Sequence, residues 1–262
     1  MNRYLGLAHL TALELTPAEL ITTAATAGYD GVGLRLVPVV GQAFPHAPLD
    51  LPAIERAVKE TGLRIYDIEV FRLDAQTKVA DFEPMLEISQ RLGATELLVH
   101  GADADASRLT NSFGELCDLA ARYRLAANLE PMPWVDVSNM AKALRVIEGA
   151  GRPNGALLVD AIHFFRGGDR LAELARVPRE RLRYMQFTDA RAEVPTDMQE
   201  MIRQARGDRL FPGDGGLDLR GLLKALPADL PISLEIPYAK PMPALERVRR
   251  ALDATKAMLD AR

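Results

Sequence analysis

The 262 residues carry a formal net charge of −4 at pH 7 and are 48% hydrophobic and 26% charged. This composition is typical of one large globular domain and argues against a protein that works on nucleic acid, where a basic surface is expected. No apolar run approaches membrane-spanning length, and the single cysteine, Cys117, leaves no partner for an intrachain disulfide. We therefore expect a cytoplasmic, single-domain protein over residues 1–262 without membrane or nucleic-acid partners.

A repeated unit runs along the chain: an amphipathic helical stretch, a glycine or polar turn, and a short apolar strand. YLGLAH is the first predicted strand, and TPAELITTAATAGYDGVGLRL is the first helix–strand unit after it. Later strands such as LLVH and ALLVD are almost wholly apolar, as expected when both faces of a parallel strand are buried.

These strands recur at the spacing of βαβ units, roughly 30 residues. After YLGLAH, the strands are predicted to end near Leu36, Glu69, His100, Glu130, Asp160, Gln186 and Glu235. The count is eight, so the predicted fold class is α/β, a (β/α)8 TIM barrel.

Four of the predicted strand ends carry an acidic or amide side chain. They are Glu130 in NLEP, Asp160 in LLVD, Gln186 in RYMQF and Glu235 in SLEIP. Residues so far apart in sequence meet only if their strands end at a common rim, as in a closed barrel. Three carboxylates and an amide oxygen there would bind one hard divalent metal ion. The alternative for Glu235, which lies in an apolar context, is a buried ion pair with an arginine.

Five short motifs resemble, in their order and spacing, the xylose isomerase-like TIM barrels. This superfamily includes sugar isomerases and epimerases, inosose and dehydroshikimate dehydratases, and apurinic endonucleases. The motifs are LEPMPW, VDAIHF, YMQFTDA, RLFPGDG and SLEIP. The resemblance implies that His163 lies beside the metal and contacts substrate or moves protons, although a core histidine is the alternative.

Gln186 departs from the histidine that many members of this superfamily carry at the same ligand position. With Gln186 and the RLFPGDG motif, the chain resembles the dehydroshikimate dehydratase branch of the superfamily. An amide oxygen is a hard neutral donor, so we expect Mn²⁺, Mg²⁺ or Co²⁺ in preference to Zn²⁺.

Four further residues are candidate substrate contacts. Arg209 begins RLFPGDGG, whose turn residues would hold its guanidinium near a substrate oxygen; the alternative is a solvated surface position. His9 and His100 end predicted strands, where each could instead have a structural hydrogen-bonding role. Trp134 would form a substrate wall or simply pack its loop. The long segment AEVPTDMQEMIRQARGDRLFPGDGG before the last strand is typical of a functional loop.

These residues predict a metal-dependent sugar isomerase or epimerase of carbohydrate metabolism, acting on a small polyhydroxylated carbonyl compound. The enzyme would remove a proton next to the carbonyl and form a metal-stabilised enediolate. In an epimerase, Glu130 and Glu235 act as base and acid on opposite substrate faces. In a dehydratase of the 3-dehydroshikimate or inosose type, His163 or one glutamate is the base and a β-hydroxyl leaves.

Two other classes of function are disfavoured. An apurinic endonuclease would need several more histidine ligands and a basic rim, and the chain has four histidines and an acidic total charge. A non-catalytic barrel would need no stoichiometric cation. The sequence leaves the oligomeric state open, including a homo-oligomer.

Overall fold

The computed structural model describes residues 3–38 and 48–261. Eight parallel strands pair in chain order, and the first strand closes the sheet by pairing with the last, so the predicted barrel is confirmed. The strands are β1 (Leu5–Leu7), β2 (Gly31–Arg35), β3 (Arg64–Leu73), β4 (Glu96–Gly101), β5 (Ala126–Glu130), β6 (Gly155–Asp160), β7 (Leu182–Phe187) and β8 (Ile232–Leu234).

Helices surround the barrel and connect successive strands. They are α1 (Pro17–Ala27), α2 (Leu51–Thr61), α3 (Glu83–Arg91), α4 (Ala106–Arg122), α5 (Met140–Ala150), α6 (Ala161–Arg166), α7 (Leu171–Leu174), α8 (Met198–Gly207), α9 (Leu219–Ala225) and α10 (Ala244–Asp260). In the part of the chain that the structure describes, no helix is both long and apolar enough to cross a membrane.

Local sequence signals set where the helices begin and end. At α1 the Thr16 side chain accepts the backbone N–H of Glu19, whose carboxylate accepts the N–H of Thr16 in return. The helix ends at Gly28, whose φ of 89° is the left-handed conformation that glycine adopts without strain. Asp50 and Asp105 similarly cap α2 and α4. Capping fixes the turns between strands and helices, and so the path of the rim.

The apolar strand residues fill the barrel wall and the layer beneath the helices. Leu7, Leu97, Leu129 and Leu234 are fully buried there, and Cys117 of α4 is buried in the same core. This is the position expected of a small hydrophobic side chain.

One strand differs from its predicted length. β3 continues to Leu73, four residues beyond the predicted end at Glu69, and its register against β4 shifts between Ile68 and Phe71. Glu69 is consequently paired in register with Arg35 of β2, within the sheet. Sequence patterning missed the extension because VFRL continues an apolar alternation that a loop can also carry.

Candidate active site

The barrel brings together the four residues predicted to be metal ligands. Glu130 and Asp160 are the last residues of β5 and β6, Gln186 is the penultimate residue of β7, and Glu235 follows β8 directly. Asp160 is in register with Gln186, and all four residues are almost completely buried. Their common position follows from the parallel arrangement of the strands.

Arg209 lies among these carboxylates. Its Nη1 donates to Asp160 Oδ2 over 2.7 Å, and its Nη2 lies 2.8 Å from Glu235 Oε2. Its Nε donates to the carbonyl of Ala205 over 2.7 Å. Arg209 is one of the largest fully buried side chains, so it is not a solvated surface group. The buried arginine pair considered for Glu235 is thus present.

The amide of Gln186 is oriented by the carboxylate of Glu235. Its Nε2 donates to Glu235 Oε1 over 3.0 Å, which leaves Gln186 Oε1 buried without a hydrogen-bond partner among the described residues. Buried polar atoms are rarely left unsatisfied, so an orphan oxygen here is a candidate ligand for an ion.

Glu130 has one occupied and one unoccupied oxygen. Its Oε2 lies 2.7 Å from His100 Nε2, whereas its Oε1 is buried without a hydrogen-bond partner in residues 3–38 and 48–261 and lies 4.0 Å from His163 Nε2. Ligand atoms of Glu130, Asp160 and His163 all lie within 4.8 Å of one another, so these three residues could hold a metal ion. The orphan oxygens and the excess of carboxylates over Arg209 fit a divalent cation.

Asp160 also explains the position of His163. The Asp160 side chain caps α6 by accepting the backbone N–H of His163 over 3.1 Å, which turns VDAIHF back toward the rim. The His163 ring lies edge-on to Trp134, with centroids 4.9 Å apart. Its Nδ1 has no hydrogen-bond partner in the described part of the chain. Trp134 therefore forms a wall beside His163.

Burial and neighbouring charges shift the protonation of the cluster. Burial, with the charge of Asp160, raises the pKa of Glu130 well above its ordinary range, and burial raises the pKa of Glu235 to about 8 despite Arg209. Burial also opposes ionisation of Asp160, but Arg209 and His163 hold its pKa below the ordinary value. Burial lowers the pKa of His163 to about 3, so its imidazole is neutral near pH 7.

The four predicted substrate contacts separate into two groups. His100, Trp134 and Arg209 line one cavity together with Glu130 and His163. His9 is fully buried after β1, and backbone groups engage both ring nitrogens. Its Nδ1 accepts the N–H of Arg35 over 3.1 Å, and its Nε2 lies 2.9 Å from the carbonyl of Leu15. These contacts give the His9 ring a structural position.

Sequence reasoning missed the residue that holds the RLFPGDGG loop. Asp189, two residues after β7, is buried, and its carboxylate accepts the N–H groups of Ala190, Gly213, Gly215 and Leu217 over 2.8–3.1 Å. These bonds fix the loop that begins at Arg209. An acidic residue just past a strand, in FTDA, was the available signal.

Three arginines of the same cavity were also missed. Arg35 pairs with Glu69 over 2.8 Å, with both side chains buried. Arg72, near the end of β3, and Arg206, on α8, line the cavity as well. Nothing in the sequence distinguishes Arg206 from Arg203 on the same helix.

The fold and the site define a (β/α)8 barrel with a cluster of buried carboxylates beside a cavity at the C-terminal ends of its strands. Over residues 21–258 the chain matches the model of the xylose isomerase-like TIM barrel, and it belongs to that family, as its motifs predicted.

Relatives of known activity are enzymes. A 3-dehydroshikimate dehydratase of Pseudomonas aeruginosa is 27% identical over 243 residues, which is 86% of this chain and 37% of the dehydratase. The chain therefore spans well under half the length of that relative. An inosose isomerase of Bacillus velezensis is 23% identical over 197 residues, covering 69% of this chain and 68% of the isomerase. The crystal structure of IolI with a bound zinc atom has the same fold, with a TM-score of 0.80 and 19% identity over 98% of both chains.

Proposed function

We propose that this chain is a divalent-metal-dependent enzyme that removes a proton next to the carbonyl group of a small polyhydroxylated compound, as sugar isomerases and epimerases do. The observation that carries the proposal is the meeting of Glu130, Asp160, Gln186 and Glu235, all buried, at the ends of their strands. Ligand atoms of Glu130, Asp160 and His163 lie within 4.8 Å of one another, and Glu130, His163 and Glu235 line one cavity. The inosose isomerase among the relatives acts on a substrate of this class by its name.

Glu130, Asp160, Gln186 and Glu235 would hold the ion, with the His163 ring adjoining. When bound, the divalent ion polarises the substrate carbonyl and stabilises the charge that develops on its oxygen. The donors are mostly oxygens, which supports Mn²⁺, Mg²⁺ or Co²⁺ over Zn²⁺ for this chain.

The protein side chains would carry out the proton transfers. Glu130 and Glu235 lie at the ends of β5 and just past β8, so a substrate between them would have a carboxyl group on each side. The ionised glutamate takes the proton, and the protonated glutamate donates its own proton to the neighbouring atom or to the opposite face of the same carbon. His100 holds one oxygen of Glu130, and Gln186 and Arg209 hold both oxygens of Glu235. Held carboxylates keep the geometry that proton transfer needs.

Dehydration is the second candidate, and His163 favours it. Its ring lines the cavity, and its Nδ1 has no hydrogen-bond partner among the described residues, so this nitrogen is placed to accept a proton from a substrate. It would take the α-proton, a C=C bond would form, and the β-hydroxyl would leave as water after receiving a proton from a glutamic acid of the cluster. The dehydratase relative, which matches 86% of this chain, supports this version.

The test is turnover in D₂O with Mn²⁺, using inosose and 3-dehydroshikimate, the ketones that the relatives' names give. We expect metal-dependent deuterium incorporation or product labelling at the carbon beside the carbonyl. Glu235→Gln or His163→Gln should lower the rate on the order of 10²–10⁴-fold, the usual effect of removing a general base. Which variant loses more separates the two-glutamate version from the histidine version.

Glu115→Gln, an exposed change on α4, is the matched control and should keep the wild-type rate. Metal content and circular dichroism melts establish that each variant is folded and loaded. A folded, metal-bound Glu235→Gln enzyme with wild-type turnover removes Glu235 from the mechanism. Absence of both metal binding and labelling in the wild-type protein contradicts the proposed function.

A further inference from the structure

The active-site cavity is lined by glutamates and by arginines. Glu130 and Glu235 are the glutamates, and Arg209 pairs with Glu235 and with the neighbouring Asp160. Three more arginines line the cavity: Arg35, Arg72 and Arg206. A cavity lined by both carboxylates and arginines fits a ligand that carries an anionic group as well as polar, uncharged groups.

The three arginines differ in how their charges are balanced. Arg35 is paired with the buried Glu69 carboxylate over 2.8 Å. Arg72 meets Asp74 only through its Nε, over 3.2 Å, and both side chains are more than a third exposed. Exposed ion pairs of this kind contribute little. The charge of Arg72 is therefore only weakly compensated.

Arg206 has no carboxylate partner among the residues that the structure describes. Burial, together with the positive charges of Arg35 and Arg72, lowers the pKa of its guanidinium. Residues 39–47 read VVGQAFPHA and contain no Asp or Glu. Arg206 is exposed to solvent, so its guanidinium is accessible to a ligand, and the two neighbouring positive charges favour an anion beside it.

Arg206 reaches the cavity because it lies on α8, in the long segment between β7 and β8. α8 ends at Gly207, and the Asp189–Leu210 bridge brings the chain back to the barrel. Arg203, one turn earlier, instead pairs with Glu200 and Asp208. Of these two arginines of α8, Arg206 is thus the one whose guanidinium has no carboxylate partner within the described ranges and lines the cavity.

We propose that Arg206 and Arg72 form an anion subsite that binds a carboxylate or phosphate group of the substrate. The substrate is then an acidic polyhydroxy carbonyl compound, with its carbonyl at the glutamate cluster and its anionic group at the two arginines. Arginine presents paired N–H donors that match the oxygens of either anion. This inference rests on the proposed function because both place the substrate in the same cavity.

The test compares three cyclic polyols that differ in charge: quinate with a carboxylate, myo-inositol 1-phosphate with a phosphate, and neutral myo-inositol. Binding is measured by calorimetry with and without Mn²⁺. We expect Arg206→Gln to weaken binding of one or both anions by about 10- to 100-fold, as loss of a charged hydrogen bond does, and to leave myo-inositol unaffected. Arg72→Gln should act in the same direction, and Arg206→Lys should recover part of the affinity.

Arg203→Gln is the matched control, the same change on the same helix, and should bind all three compounds as the wild type does. The anion with the larger loss identifies the group that the subsite takes. If neither anion binds the wild type more tightly than myo-inositol does, or if Arg206→Gln weakens all three equally, the subsite is wrong. Arg206-dependent anion binding without any metal binding would keep the subsite and contradict the proposed function, so the two fail separately.

Discussion

The guanidinium of Arg209 donates to the carboxylate of Asp160 over 2.7 Å, and both side chains are buried. The same guanidinium reaches Glu235, so one fixed positive charge serves two carboxylates of the cluster. The positive charge of Arg209 balances these carboxylates, and its length and planarity set the separation of the two acids. Its role is therefore both structural and electrostatic.

Replacing this arginine should expose that double role. Arg209→Met leaves two buried carboxylates unpaired, so we expect it to destabilise the fold by about 3–5 kcal/mol. Mn²⁺ should raise the melting temperature of the variant more than that of the wild type, because a cation then supplies the missing charge. Thermal unfolding with and without Mn²⁺ measures both effects, and Arg203→Met is the control. Equal Mn²⁺ shifts in the two proteins would show that the ion and Arg209 do not share these carboxylates.

The amide at position 186 should decide metal preference. Gln186→His replaces a hard oxygen donor with an imidazole, so we expect retained metal binding with selectivity shifted toward Zn²⁺. Competition titrations of Mg²⁺, Mn²⁺ and Zn²⁺ on both proteins measure the shift. Unchanged relative affinities would mean that Gln186 is not a ligand and that its orphan oxygen has another partner.

The barrel and the acidic cluster could be predicted because their signals are local and repeated. Each βα unit carries an apolar strand and a capped helix, and parallel strands necessarily end at one rim. Glu130 and Asp160 could therefore be placed from strand position alone. The structure adds that the Asp160 carboxylate accepts the backbone N–H of His163, a hydrogen bond that was not predicted.

The arginines of the cavity could not be predicted, for a physical reason. Arg203 and Arg206 share one amphipathic helix, and their surroundings depend on how that helix packs across the rim. The role of Asp189 could not be predicted either, since three of its four backbone partners come from a loop more than twenty residues away. Long-range polar contacts leave no periodic pattern in sequence.

Metal affinity should depend on pH through Glu235. Burial raises the pKa of this carboxyl to about 8, so below that pH the group is protonated and a cation must displace the proton. Affinity for Mn²⁺ should rise by up to about tenfold per pH unit for each proton released, and level off above about pH 8. Calorimetry in buffers of different ionisation enthalpy counts the protons. Affinity that stays constant from about pH 6 to pH 8 would contradict protonation of the metal-free cluster.

The buried carboxyl of Asp67 lies in a different cavity from the one lined by Glu130 and Glu235. Among the described residues neither of its oxygens has a hydrogen-bond partner, and Tyr4, Tyr184 and Ser233 line the same small cavity with unpartnered hydroxyls. A Cβ at Gly33 would lie 2.6 Å from both Asp67 oxygens, so glycine is required beside this carboxyl. Burial, with the charges of Glu69 and Glu235, raises the pKa of Asp67 well above its ordinary value.

Because of this raised pKa, Asp67 should lower the stability of the folded barrel as the pH approaches neutrality. Its folded-state pKa exceeds the unfolded value near 3.9, so its favourable contribution is complete below about pH 4 and is lost as pH rises toward the folded-state pKa. Asp67→Asn keeps the shape and removes the titration. We expect the variant to match the wild type in melting temperature near pH 4 and to exceed it increasingly toward about pH 8. Asp136→Asn, an exposed change, should show no such trend. A difference between Asp67→Asn and the wild type that does not change with pH would mean that Asp67 remains ionised in the folded barrel.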